Sequence, residues 1–225
     1  MTDPQTIYEF RLACYKPGCP ICTLIQRIVT RYIESTFNEN LLDPALRKRL
    51  ADSLGFCYEH TWQTITLKLS DALGLAILYQ DLVNDVMKKI EPGKKNTENQ
   101  VFTVLKPVAP CPACQVEEVA LGRIVDSMAL ALRDQDFVAG FKQSSGLCIP
   151  HLRLLLPSLD SEMQEIVLDH QHACMESLRI ELAEFIRKSD YRFRDEVYGK
   201  EGDSYKRAAE MINGKQKPAV KKDIL

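Results

Sequence analysis

A chain of 225 residues has room for one large domain or two of about 100 residues each. Its 45% apolar and 27% charged content is that of a globular chain able to bury its own core. A net charge of -2, from 29 basic and 31 acidic side chains, supplies no general attraction to nucleic-acid backbones or anionic lipid.

No apolar run approaches the roughly 18 residues of a membrane span, and the longest, near Ala72 to Leu78, falls far short. The first residues, MTDPQTIYEFRLAC, lack the basic flank and apolar run of a secretory signal. A cytoplasmic location without membrane attachment is therefore expected. In that reducing setting, eight cysteines point to metal ligands or redox groups rather than disulfides.

In chain order, the pattern predicts helices almost throughout. After Cys19, apolar residues recur at Ile21, Leu24, Ile25, Ile28, Val29, Tyr32, Ile33 and Phe37, the stripe of an amphipathic helix. Asp43-Pro44 opens a second helix, with aspartate as cap and proline at the first helical position, and Gly55 ends it. A third segment is expected from Cys57 to about Ile90, bent near Gly74. Residues 92–109 carry turn-forming and proline residues and read as a linker. Further helices follow near 112–132, 135–144 and 148–156. A long one covers about Ser161 to Lys188, with a stripe at Val167, Cys174, Leu178, Leu182 and Phe185. A short helix is expected over Ser204 to Ile212. Strand-like alternation is confined to Val101–Leu105, and the tail GKQKPAVKKDIL reads as disordered.

Six of the eight cysteines fall into a pattern written twice: CPIC-x34-CYEH, then CPAC-x33-CIPH. The first copy holds Cys19, Cys22, Cys57 and His60; the second holds Cys111, Cys114, Cys148 and His151. At an offset of 91 residues, Asp43 aligns with Asp134, Leu46 with Phe137, Leu50 with Phe141, Ser53 with Ser144 and Gly55 with Gly146. The expected fold is therefore all-α and internally duplicated with pseudo-two-fold symmetry. One helical repeat covers 1–91 with the CPIC/CYEH site, and another covers 110–190 with the CPAC/CIPH site. A polar C-terminal extension occupies 191–225.

Each CPxC and each CxxH opens a helix, and residues three apart on a helix share a face. Each motif thus presents two donors to one point, and two motifs supply the four ligands of a Cys3His tetrahedron. Unsatisfied N–H groups at helix starts favour thiolate over thiol. The expectation is two zinc ions per chain, bound by these eight residues. An iron–sulfur cluster is the alternative cofactor. A dithiol site of glutaredoxin type is third, because no strand precedes the CPxC helices and the CxxH motifs would have no role. Weak haem binding by a Cys-Pro dipeptide is remote. Whether each site forms within a repeat or is exchanged between repeats is open at this stage.

Outside the pattern, Cys14 reads as a buried structural cysteine. His170 and Cys174, four apart on one helix, read as helix surface and apolar stripe rather than a metal site. Trp62 is expected to pack beside the first site, and Arg47-Lys48-Arg49 to form a solvated face. The stretch from Phe185 to Arg207 mixes aromatics with both charges and reads as a capping tail held by salt bridges.

The segments GCPIC, GFCYEH, DALGLAILYQDL, PCPAC, GLCIPHLRLL and FIRKSDYRFRDEVYGKEGDSYKRAAEMINGK together resemble an uncharacterised prokaryotic family with two CPxC…CxxH units. The resemblance covers almost the whole chain and implies a helical, metal-binding fold with no assigned activity. The function expected is a zinc-stapled binding or adaptor module with an unknown protein or small-molecule partner. A redox or iron–sulfur sensor is the alternative. No catalytic residue emerges, since the glutamate of CYEH, Glu59, is replaced by Pro150 in the second copy.

Overall fold

The structure, a computed structural model, describes residues 4–91 and 105–215, with side chains from Ile7 onward. Most of the 92–109 linker, the Val101–Leu105 strand expectation and the terminal tail from 216 lie outside the described residues. Among the described residues the architecture is all-helical with no strand. In chain order the helices are α1 (Pro4–Cys14), α2 (Pro20–Asn38), α3 (Pro44–Asp52), α4 (Tyr58–Thr66) and α5 (Ala72–Lys89). They continue with α6 (Pro112–Ala131), α7 (Gln135–Phe141), α8 (Ile149–Leu155), α9 (Ser161–Lys188) and α10 (Ser204–Asn213). No helix among the described residues is long and apolar enough to cross a membrane.

The chain divides into two compact units. One combines residues 1–25 with 121–216; the other is centred on 26–120. The boundaries fall inside α2 and α6. In the first unit, Phe10 of α1 meets Phe137 of α7 edge to face at 5.9 Å, and Phe141 packs against His170 of α9 at 4.9 Å. Phe10, Phe137, Phe141, Leu147, Leu155 and Val167 are essentially sealed from water. At about 25 cal/mol per Å2 such side chains contribute a few kcal/mol apiece. In the second unit the apolar stripe of α2 is buried at Val29, Ile33 and Phe37, and Phe37 packs on Phe56 at 6.2 Å.

Local sequence accounts for the helix starts. The Asp43 carboxylate accepts from the Ala45 N–H at 3.0 Å, and the Asp134 carboxylate accepts from Phe137 N–H at 2.9 Å. After α3 the Gly55 N–H returns to the Leu50 carbonyl at 2.6 Å with φ of 85°, a left-handed closure that glycine adopts without cost. Gly146 has φ of 80° before the CIPH motif.

The expected single segment from Cys57 to Ile90 is instead two helices. The break lies between Thr66 and Ala72, with Lys68 at φ of 52°. Its cause is Asp71, which caps α5 by accepting from Gly74 N–H at 2.6 Å. A Cβ at Gly74 would lie 2.8 Å from Ser70 Oγ, so that glycine accommodates the cap rather than bending a helix. The basic cluster is largely exposed, as expected, with Arg47 half-buried in a pair with Asp81 of α5 and Arg49 3.5 Å from Gln115 of α6.

The segment after α9 is tied down by charge. Arg187 pairs with Glu184 at 2.8 Å, Lys188 with Glu201 at 2.7 Å, and Arg207 with both Glu181 and Asp203. Phe185 packs between Tyr198 and Tyr205 at 5.2 and 5.4 Å. The Gly199 N–H and Lys188 hold the Glu201 carboxyl down to about 2.

Candidate metal centres

Four cysteines occupy helix N-cap positions. Cys19, Cys57, Cys111 and Cys148 each offer a carbonyl to the N–H four residues on, at 3.1, 2.8, 3.1 and 2.9 Å respectively. Cys57 and Cys148 have the extended backbone of a cap, and neither side chain caps a backbone N–H of its helix. Their sulfurs are therefore directed elsewhere. Three residues further on, Cys22, His60, Cys114 and His151 stand on the same helix face as the cap.

The structure gathers these eight side chains into two groups of four. Cys19 and Cys22 of α2 meet Cys148 and His151 of α8; Cys111 and Cys114 of α6 meet Cys57 and His60 of α4. In each group the donor atoms all lie within 4.8 Å of one another. CPIC thus stands with CIPH and CPAC with CYEH, so of the two pairings that the sequence leaves open the structure has the exchanged one.

Length explains the exchange. At 1.5 Å per residue, the 19 residues of α2 carry the chain about 28 Å from Cys19. Even running straight back, the nine residues of α3 recover only about 13 Å. Residues 39–43 are coiled into a turn with Asp43 N–H on the Asn40 carbonyl, and residues 53–56 into the Gly55 turn, so neither stretch spans the remainder. The same holds after Cys111, where 20 residues of α6 precede only seven of α7.

The first group lies within the unit formed by 1–25 and 121–216. His151 Nδ1 is 3.1 Å from Cys148 Sγ, 3.3 Å from Cys22 Sγ and 3.5 Å from Cys19 Sγ, and Cys22 Sγ is 3.7 Å from Cys148 Sγ. Cys19 and Cys148 are buried; Cys22 and His151 are half-buried. Burial opposes a charged imidazole, but the three sulfurs outweigh it and push His151 up to about 12.

The second group lies within the other unit. His60 Nδ1 is 3.3 Å from Cys57, 3.4 Å from Cys114 and 3.7 Å from Cys111, and Cys57 is 3.7 Å from Cys114. His60 is fully buried. Its other nitrogen, Nε2, faces Glu117 Oε2 at 3.4 Å, long for a hydrogen bond and leaving Nε2 otherwise without an acceptor. Burial again works against the charge, yet Cys111 and Glu117 push His60 up to about 10. Burial would raise Cys111, but His60 and the N–H groups around it bring the thiol down to about 6. Cys114, desolvated beside that thiolate, rises to about 12. Without metal, this group stores protons on His60 and Cys114, both of which a cation would displace.

Residues 12–219 match a family described as being of unknown function, DUF6062. The chain belongs to that family. No curated protein and no solved structure matches the chain. For this DUF6062 member, two clusters of donors within metal-binding distance are thus the leading functional feature.

Cys14 belongs to neither group. It is 2% exposed, and burial together with the charge of Cys19 pushes its thiol up to about 11. Trp62 is 38% exposed and meets Tyr58 edge to face at 6.3 Å. Glu117 had no sequence signal of its own; its position three residues after Cys114 is the only clue, since that spacing puts it on the ligand-bearing face.

Proposed function

We propose that each group binds one zinc ion and that the chain is a zinc-stapled helical binding or adaptor module. The observation that carries this reading is the pair of compact, complete donor sets. Zinc–sulfur bonds of about 2.3 Å and zinc–nitrogen bonds of about 2.0 Å imply tetrahedral edges of roughly 3.6 to 3.8 Å. The imidazole nitrogens lie 3.1 to 3.7 Å from their sulfurs, one sulfur pair in each group is 3.7 Å apart, and all donors of a group lie within 4.8 Å of one another. An iron–sulfur cluster distributes its ligands over several irons and needs a wider cage.

Four protein ligands leave no coordination position for a substrate, as in structural rather than catalytic zinc sites. The aromatic pair Tyr58 and Trp62, 74% and 38% exposed, offers a contact surface for a protein or small-molecule partner. The matched cap and turn geometry at Asp43 and Asp134, and at Gly55 and Gly146, supports descent from a duplicated helical unit.

Metal analysis of anaerobically purified protein tests the metal reading: about two zinc ions per chain and no visible absorption are expected. Iron with visible charge-transfer bands would overturn it. The cobalt(II)-substituted protein tests the closed coordination sphere. Its visible spectrum should stay unchanged on adding azide or imidazole, and a shift would indicate an open position and a catalytic site.

A further inference from the structure

Of the cysteines and histidines outside the two groups, His170 and Cys174 stand together. They lie four residues apart on α9, with Cys174 Sγ 3.5 Å from His170 Nε2. That is the same separation found between sulfur and imidazole nitrogen inside the metal groups. The pair borders a cavity of about 400 Å3 whose wall also includes Cys19 and Cys148 of the first group. Lys142, Arg207 and Glu210 also line the cavity.

Close packing connects the pair to the group. A Cβ on Gly146 would lie 3.3 Å from Cys174 Cβ and 3.4 Å from Cys174 Sγ. The absent side chain thus lets Cys174 sit against the strand of backbone that carries Cys148 two residues later. His170 is held by an edge-to-face contact with Phe141, and its Nε2 lies 3.3 Å from Ser144 Oγ. Burial lowers the pKa of His170, which keeps the imidazole neutral and available as a ligand, and raises that of Cys174. A thiol held protonated binds metal only weakly, which suits a passing contact better than a permanent one.

We propose that Cys174 and His170 form an auxiliary two-ligand metal site in this cavity, through which a thiophilic dication reaches Cys19, Cys22, Cys148 and His151. The inference rests on the zinc reading above. In the transfer the ion exchanges two water ligands for Cys174 and His170, and Cys174 gives its proton to solvent. The ion then exchanges these two ligands and its remaining waters for the four of the group, whose histidine and thiol protons pass to solvent and to Cys174. No electron moves.

The test is stopped-flow loading of reduced, metal-free, full-length protein with cobalt(II), followed by thiolate-to-cobalt absorption. A Cys111→Ser/Cys114→Ser background isolates the first group, and a Cys19→Ser/Cys22→Ser background isolates the second. Adding Cys174→Ser should slow loading of the first group by roughly tenfold, the order expected for losing a tethered ligand of high effective concentration. Loading of the second group, and the final stoichiometry of both, should not change. Equal rates with and without Cys174 would overturn the proposal while leaving two-metal binding intact. A wild-type protein that binds no cobalt would instead defeat the zinc reading itself.

A second measurement does not depend on the variant folding. Cadmium added to wild-type protein beyond two equivalents should give a further, weaker rise in thiolate-to-cadmium absorption. A titration that is flat after two equivalents would overturn the auxiliary site.

Discussion

The two four-ligand groups share a donor set and differ in what stands behind it. In the Cys57, His60, Cys111, Cys114 group, the histidine is fully buried and backed by Glu117 at 3.4 Å. In the Cys19, Cys22, Cys148, His151 group, the histidine is half-buried and the sulfurs border a cavity carrying another thiol and imidazole. Identical ligands in these settings should differ in retention and access: the first arrangement favours holding a metal, the second admitting one. Chemistry common to both centres comes from the motifs; whatever separates them comes from neighbouring helices.

The most severe way to break the comparison is to mix ligands across it. Cys57→Ser with Cys114→Ser removes two ligands from one group, and the protein should retain about one metal per chain. Cys22→Ser with Cys57→Ser damages both groups, and metal content should fall toward zero with a large drop in melting temperature. Elemental analysis and thermal unfolding of the two double variants decide the matter. The opposite ranking would restore pairing within each sequence half.

Acidity should sharpen the contrast next. Metal binding requires neutral histidine and ionised thiols, so a histidine pKa raised above its ordinary value makes protons stronger competitors, up to that raised pKa. His151, at about 12, and His60, at about 10, should both still be releasing protons on metal uptake at pH 8. Apparent zinc affinity should therefore rise about tenfold per pH unit for each proton released, between about pH 6.5 and 8.5. Chelator competition across that range checks this, and an affinity that levels off near pH 7 would contradict it.

Glycine substitutions probe the two approaches to the CxxH helices. Gly146→Ala forces a left-handed alanine whose Cβ meets Gln171 Oε1 at 2.9 Å, an atom held by the Leu147 N–H at 2.8 Å. Gly55→Ala imposes the same backbone strain but meets only the flexible end of Leu82, also at 2.9 Å. Chemical denaturation should give losses of about 2 to 3 kcal/mol at Gly146 and about 1 to 2 kcal/mol at Gly55. Equal losses would mean that Gln171 yields as readily as leucine. The smallest expected effect is that of Glu117→Gln. It should weaken metal binding by about tenfold at the His60 group alone, measured in the Cys19→Ser/Cys22→Ser background.

Much of the helical layout was legible because caps and turns are local. Asp43 and Asp134 open helices, and α9 runs over Ser161–Lys188 as its stripe indicates. The break before α5 carries little local signal, because Ser70-Asp71 is a modest cap inside an apolar stretch and the glycine at 74 serves the Asp71 cap rather than a bend. The pairing of Arg47 with Asp81 and of Arg49 with Gln115 has no local signal, because those partners lie far along the chain.

By itself, the sequence determined the inventory: helices, eight candidate ligands, and the three-residue spacing that puts each pair of donors on one face. Those features depend on neighbours within a turn or two, where backbone geometry leaves little choice. Only the tertiary structure decided which pair faces which. It also decided that Glu117 backs one histidine and that Cys174 borders the same cavity as Cys19 and Cys148. Such contacts join residues tens of positions apart and follow from helix lengths and packing, which make a long α2 followed by a short α3 unable to bring Cys57 back to Cys19.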